Sequence, residues 1–133
     1  CRGKYIAQCA GDDYWNNLQK LQIQVDYMET HINCAVVHTD YDVLDINTDK
    51  LKVSIRKSKR EKILEGLRQK EIFFGTLVIS APTVLIRKEL FEKYMPIQDF
   101  VDLEFPIEDW PMWIILSKYA EINYIPISTI VYR

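Results

Sequence analysis

The residues with chemical potential fall in two acidic motifs, Gly11-Asp12-Asp13-Tyr14-Trp15 and, far downstream, Glu108-Asp109-Trp110. Asp12 and Asp13 follow the apolar run Tyr5-Ile6-Ala7-Gln8-Cys9-Ala10. That is the pattern of a buried strand running out at a sheet's carboxyl edge, where open α/β sheets bind ligands. Adjacent carboxylates repel each other, so a cation or hydrogen-bond donors must offset their charge. A divalent cation with oxygen ligands is one solution, and a solvated acidic turn is the other. Spacing alone does not choose between them. Glu108 and Asp109 stand at the start of an apolar helical stretch. A carboxylate there is a candidate general base, or it merely favours the helix's first turn electrostatically. Helix-start N–H dipoles lower its pKa and burial raises it, and the sequence leaves that balance open.

Other chemistry-bearing residues make weaker patterns. His31 and His38 lack a third ligand at any zinc-like spacing and read as helix-end and strand residues. Asp40, Asp42 and Asp45 lack the glycine and distal glutamate of a calcium loop and read as an exposed face. Cys1, Cys9 and Cys34 form no CxxC pair, so free thiols in a reducing compartment are expected. The basic run Arg56-Lys57-Ser58-Lys59-Arg60 reads as a solvated loop, with anionic lipid or an acidic acceptor as the alternative. Gly66 and Gly75 belong to no phosphate-binding pattern. Trp113, three residues after Trp110, reads as core, and Trp15 as packing; Trp110 and Tyr14 are left open.

Positioning these residues requires a mixed succession of elements. Residues 4–10 read as a strand. Residues 17–31 read as an amphipathic helix with Leu18, Leu21, Val25 and Met28 on its inner face, capped by Asn16 or Asn17. Residues 34–37 and 39–45 are strand-like, and 47–49 form the turn of a hairpin to 51–55. A helix is expected over 61–70, β structure with a break at Pro82 over 76–86, a short helix over 87–94 and a loop over 95–107. A last helix spans 108–120 with Pro111 in its first turn, followed by short strands at 122–125 and 128–131.

Of the 133 residues, 48% are apolar and the net charge is −2, from seventeen basic and nineteen acidic side chains. Those numbers fit one globular domain or a large piece of one and give no basic field for nucleic acid. No apolar run approaches a membrane span.

The run GKYIAQCAGDDYW followed by KLQIQVDYM resembles the middle of a family 2 glycosyltransferase domain of the GT-A fold. PIEDWPMW resembles that family's second acidic signature. VISAPTVLIRKELFEKY resembles its acceptor-side segment, and Tyr132-Arg133 its C-terminal strand end. The resemblance covers nearly the whole chain in family order, but nothing corresponds to the strand-helix-strand half that grips base and ribose. It therefore implies an α/β fold: the C-terminal portion of a GT-A-type open, mostly parallel mixed sheet flanked by helices. Residues 1–133 would be a single partial domain, inactive alone. The implied chemistry is inverting transfer of a sugar from a nucleotide-diphosphate donor to the hydroxyl of a glycan, lipid or other acceptor. Asp13 would ligate Mg²⁺ or Mn²⁺, and Asp12 would face the ribose or a metal-bound water. Asp109 would be the base, with Glu108 and Trp110 on the acceptor side. The parent enzyme would be cytoplasmic or at the inner face of a membrane. With half the sheet missing, the strand at 4–10 is expected to expose an edge that promotes self-association. A non-catalytic interaction module with solvated acids is the alternative. Phosphoryl transfer or hydrolysis is a weaker third, because no second carboxylate cluster for a two-metal site is visible.

Overall fold

The computed structural model describes residues 2–45, 47, 48, 50–53, 66–75, 77–104 and 109–132. Its strands are β1 (Tyr5–Ala7), β2 (Tyr14–Trp15), β3 (Cys34–Asp45), β4 (Lys50–Lys52), β5 (Val84–Arg87) and β6 (Glu121–Tyr132). Its helices are α1 (Lys20–Thr30), α2 (Gln69–Phe73), α3 (Lys88–Tyr94), α4 (Ile97–Asp102) and α5 (Asp109–Tyr119), with a 3₁₀ turn at Ala81–Thr83. The basic run 56–60, the N-terminal part of the helix expected over 61–70, Glu108 and Arg133 lie outside the described residues.

The strands form one mixed sheet in the order β1-β5-β3-β6-β2, with β4 paired to the far end of β3. An α/β fold with a mixed sheet flanked by helices was expected and is found. The expectation of a mostly parallel sheet is corrected: among the described residues only β3 and β6 pair in parallel, and the β1–β5, β2–β6, β3–β4 and β3–β5 pairs are antiparallel. The short link around Asn47-Thr48 explains the antiparallel β3–β4 pair, whereas the other antiparallel pairs join strands far apart in the chain, whose direction no local signal sets.

β3 and β6 are each one twelve-residue strand rather than two short ones. The register explains why the sequence reads as broken. Thr39 faces Ile125 but Asp40 faces Ser128, so Pro126 and Ile127 are extra residues on β6, and a second shift follows before Asp42–Val131. A proline has no N–H for the ladder and is accommodated at such a bulge, which also curls the sheet.

Helices cover both faces. α2, α3 and α5 pack on one, around Val36, Ile72, Val84, Ile86, Trp113, Leu116 and Ile122. Tyr94 of α3 stacks on Tyr119 of α5 at 4.1 Å between ring centroids. α1 packs on the other face, over Cys34, Val37, Leu85 and Ile125. The inner face of α1 differs from the expected stripe. Lys20, Gln24 and Met28 point inward, Leu18 is fully exposed and Leu21 is 40% exposed. Residues 97–102, expected as loop, form α4; Pro96 immediately precedes it, where its missing N–H costs the helix nothing.

Arg87, at the end of β5, turns inward instead of towards a ligand. Its guanidinium donates to the carbonyls of Cys34 (3.1 Å), Met28 (2.6 Å) and His31 (3.1 Å), satisfying backbone acceptors where α1 ends and β3 begins. Cys34 beside it is a free thiol whose pKa burial pushes up to about 12, so it stays protonated. β1 is an edge strand whose described neighbour is β5 alone. No helix among the described residues is long and apolar enough to cross a membrane.

Arg87→Leu removes the donor and leaves three inward carbonyls, so unfolding free energy should drop by about 3 kcal/mol. Urea denaturation reads this as a lower midpoint at unchanged slope. A loss well under 1 kcal/mol would mean that water replaces the guanidinium there.

Candidate functional site: the carboxyl end of the sheet

Two strands and two helices deliver the candidate residues to one end of the molecule. β1 runs in the same direction as β3, since both are antiparallel to β5. Its exit, residues 8–13, therefore leaves at the carboxyl end of β3 and must cross from one edge of the sheet to the other, where β2 pairs with Ile130 and Val131. α1 leads into β3 and α5 leads into β6, each packed on the strand it feeds, so both helices begin at that same end. α1 does so on one face and α5 on the other.

In the crossing loop, strand-like alternation continues for two residues. Gln8 points to the α5 side, in contact with the same cavity as Met112, and Cys9 points to the α1 side. The Cys9 thiol donates to the Asp13 carbonyl at 3.7 Å. Asp12 is exposed and Asp13 is 9% exposed. Beyond β2, Asn16 ties the loop down: its N–H donates to the Thr129 carbonyl at 3.2 Å and its side-chain amide to Asp42 Oδ2 at 3.1 Å. Asn17, not Asn16, prepares α1, accepting the Gln19 N–H on Oδ1 at 2.8 Å.

Asp40 and Asp42, expected on an exposed face, are buried, because β3 lies inside the sheet with helices over both sides. Asp45 is a turn residue, its Oδ1 accepting the N–H groups of Asn47 and Thr48. The histidines take the expected helix-end and strand positions. His31 stacks on Tyr27 at the end of α1, and His38 packs against the Tyr124 ring.

Sequence reasoning missed the polar cluster under the start of α1. Lys20 is 1% exposed, its ammonium donating to Gln24 Oε1 at 2.6 Å and lying 4.8 Å from the centre of the Trp15 ring. The Gln24 amide donates to the carbonyls of Val37 (3.2 Å) and Thr83 (2.8 Å). Thr39 and Thr129 share a 2.6 Å hydroxyl contact nearby. Desolvation lowers the Lys20 pKa to about 8, opposed by the Cys9 sulfur. The available signal was the i, i+4 spacing of Lys20, Gln24 and Met28, hidden beside a more apolar stripe. Trp15 is packing, as expected, in the form of a cover over Lys20.

At α5, Asp109 is half-buried, and its Oδ1 accepts the Trp110 N–H at 2.8 Å. It lines a cavity of about 190 Å³ with Leu77, Val78, Ile79, Trp110 and Trp113. Trp110 is 45% exposed, and its indole N–H donates to the Ile72 carbonyl at 2.9 Å. The ring lies 3.8 Å from where a Cβ on Gly75 would be, and Gly75 has φ +69°, a conformation that favours glycine. Trp113 is core, as expected. Asp12 and Asp13 do not line the Asp109 cavity. Among the described residues no group of three or more His, Cys, Asp or Glu side chains is placed to hold a metal ion.

No protein-family model matches the chain. Over 35 residues it is 53% identical to uncharacterized proteins of Mycobacterium tuberculosis and Mycobacterium bovis; the match covers 26% of this chain and 10% of each relative. The matched segment thus spans about a tenth of the length of these curated relatives.

The Lys20 shift has a definite sign. The folded pKa near 8 lies below the ordinary 10.5, so between those values the unfolded chain holds a proton that the folded chain lacks, and stability rises with pH. Unfolding free energy of the wild type relative to Lys20→Met should climb across that window by an amount on the order of 3 kcal/mol. A difference that stays flat with pH would place the ammonium in water.

Proposed function

We propose that this chain is the metal-binding and acceptor-side part of an inverting glycosyltransferase of family 2 type and GT-A fold. It would move a sugar from a nucleotide-diphosphate donor to an acceptor hydroxyl. The observation that carries this reading is the common address of the two acidic segments: loop 8–13 and the first turn of α5 both start from the carboxyl end of the parallel pair β3–β6. That is where open α/β sheets take ligands.

Asp12 and Asp13 fit a cation that keeps water and phosphate oxygens as most of its ligands, as Mg²⁺ does with one or two carboxylates. An all-protein cage does not fit, since the described residues bring no third ligand to them. When bound, the cation neutralises charge developing on the departing diphosphate. Asp13 is the proposed metal ligand, held by its backbone to Cys9 and by the anchored Asn16 that follows. Asp12, more exposed, is left to the ribose or a metal-bound water. Asp109 takes the proton of the acceptor hydroxyl; Trp110 N–H fixes Oδ1 and leaves the second oxygen for that proton. The Trp110 ring, pinned through its indole N–H, offers a rigid face for sugar C–H groups, and Glu108, outside the described residues, is assigned to the acceptor side by its place in the sequence motif.

A second reading rests on the same hydrogen bond. Asp109 also satisfies an N–H in the first turn of its own helix, exposed Val78 lines the same cavity, and Phe73 and Phe74 are exposed at the end of α2, as in an interaction module. Asp109→Asn separates the two, because an amide oxygen still accepts the Trp110 N–H but takes no proton. In the full-length protein, turnover with a nucleotide-sugar donor should fall roughly 10²-fold or more at nearly unchanged substrate KM and melting temperature. Near-normal turnover would assign Asp109 to capping.

A further inference from the structure

A cavity of about 370 Å³ opens between α3, α4 and α5, next to Gln8 at the exit of β1. Its volume lies in the range of small-molecule sites. Phe91, Met95, Phe100, Val101 and Met112 make its wall apolar. Val101 is exposed and Phe100 only partly covered, so the cavity is reached from solvent. Within this wall Gln8 Oε1 is buried and has no hydrogen-bond donor among the described residues. A buried acceptor left without a donor is costly, of the same order as a lost hydrogen bond. The other polar lining residue is Glu104, a carboxylate. Among the described lining residues, Gln8 therefore offers an unsatisfied acceptor oxygen beside its amide N–H groups, Glu104 offers a carboxylate, and no cation is present.

We propose that this cavity binds the apolar chain of an uncharged amphiphile that ends in a hydrogen-bond donor, an alcohol above all, with the donor on Gln8 Oε1. Its electrostatics select against an anionic head, because a carboxylate or phosphate would meet the Glu104 carboxylate while no cation among the described lining residues offsets the charge. The cavity is flanked by the two acidic segments: Gln8 leads into the Asp12-Asp13 loop, and Met112 is one turn from Asp109. Identifying the amphiphile as the sugar acceptor, a lipid alcohol or a glycoside with an apolar aglycone, rests on the glycosyltransferase reading. Occupancy of the cavity does not.

Titration of the isotope-labelled chain with octan-1-ol and with sodium octanoate, followed by NMR, tests this. Octan-1-ol should shift the resonances of Gln8, Phe100, Val101 and Met112 saturably, and octanoate should bind at least tenfold more weakly. Gln8→Leu should weaken octan-1-ol about fivefold, the scale of one net hydrogen bond. Val101→Asp, at an exposed position that leaves the core intact, should abolish binding. Octanoate binding as tightly as the alcohol, alcohol shifts spread elsewhere, or indifference to Gln8→Leu would each overturn the proposal. If octan-1-ol binds as described while Asp109→Asn keeps its turnover, the site stands and only its assignment to a sugar acceptor falls.

Discussion

Two long strands, β3 and β6, lie side by side in parallel, and the rest of the molecule is arranged around that constraint. Parallel neighbours cannot be joined by a tight turn. Each is instead entered from a helix that returns along the sheet, α1 for β3 and α5 for β6. Both helices consequently start where the strands end. β1, running the same way at one edge, empties its loop there too, and β2 catches that loop at the opposite edge. The acidic segments, the Lys20 cluster and the apolar cavity beside Gln8 all come to one end of the sheet through this connectivity. The antiparallel partners β4 and β5 extend the sheet without altering that geometry.

The two faces meet this end differently. On the α5 side the interior is a conventional apolar core; Asp109, Trp110 and Gln8 stand at its rim, and buried Ser117 bonds within its own helix. On the α1 side polar groups go all the way in: Arg87 at one end of the helix, Gln24 in the middle and Lys20 at its start. Such burial is tolerable only where each group has partners, and the structure supplies them as backbone carbonyls and the Trp15 ring. A lysine held with a lowered pKa beside the acidic loop is a different electrostatic object from a surface lysine, and groups perturbed by desolvation concentrate at functional sites.

What was legible in the sequence follows the strength of local signals. A strand feeding the acidic loop, though it ends at Ala7 rather than Ala10, the helices around 20–30 and 109–119, the hairpin turn around Asn47-Thr48 and the core role of Trp113 were readable from periodicity and turn chemistry. The rotation of α1 was not. Leu18, Leu21 and Val25 form a plausible apolar stripe, and nothing local says that the carbonyls of Val37 and Thr83 need the Gln24 amide. Burial of Asp40 and Asp42 was missed for a related reason. Alternation along β3 suggests a solvated face, while coverage on both sides is a tertiary fact. Strand direction was also misjudged, since pairing is set by connections far apart in the chain. At the candidate site, residue types and order suggested Asp12, Asp13 and Asp109; the Lys20 cluster and the Gln8 cavity needed the fold to bring their parts together.

The central claim is that loop 8–13 and the first turn of α5 serve one bound cation and its diphosphate. Paramagnetic broadening by Mn²⁺, added with UDP to the isotope-labelled full-length protein, addresses it directly. Strong broadening of amides in both residues 11–16 and residues 109–113, reversed by Mg²⁺, is the predicted result. Broadening confined to one segment, or spread over unrelated acidic surface, would contradict the account.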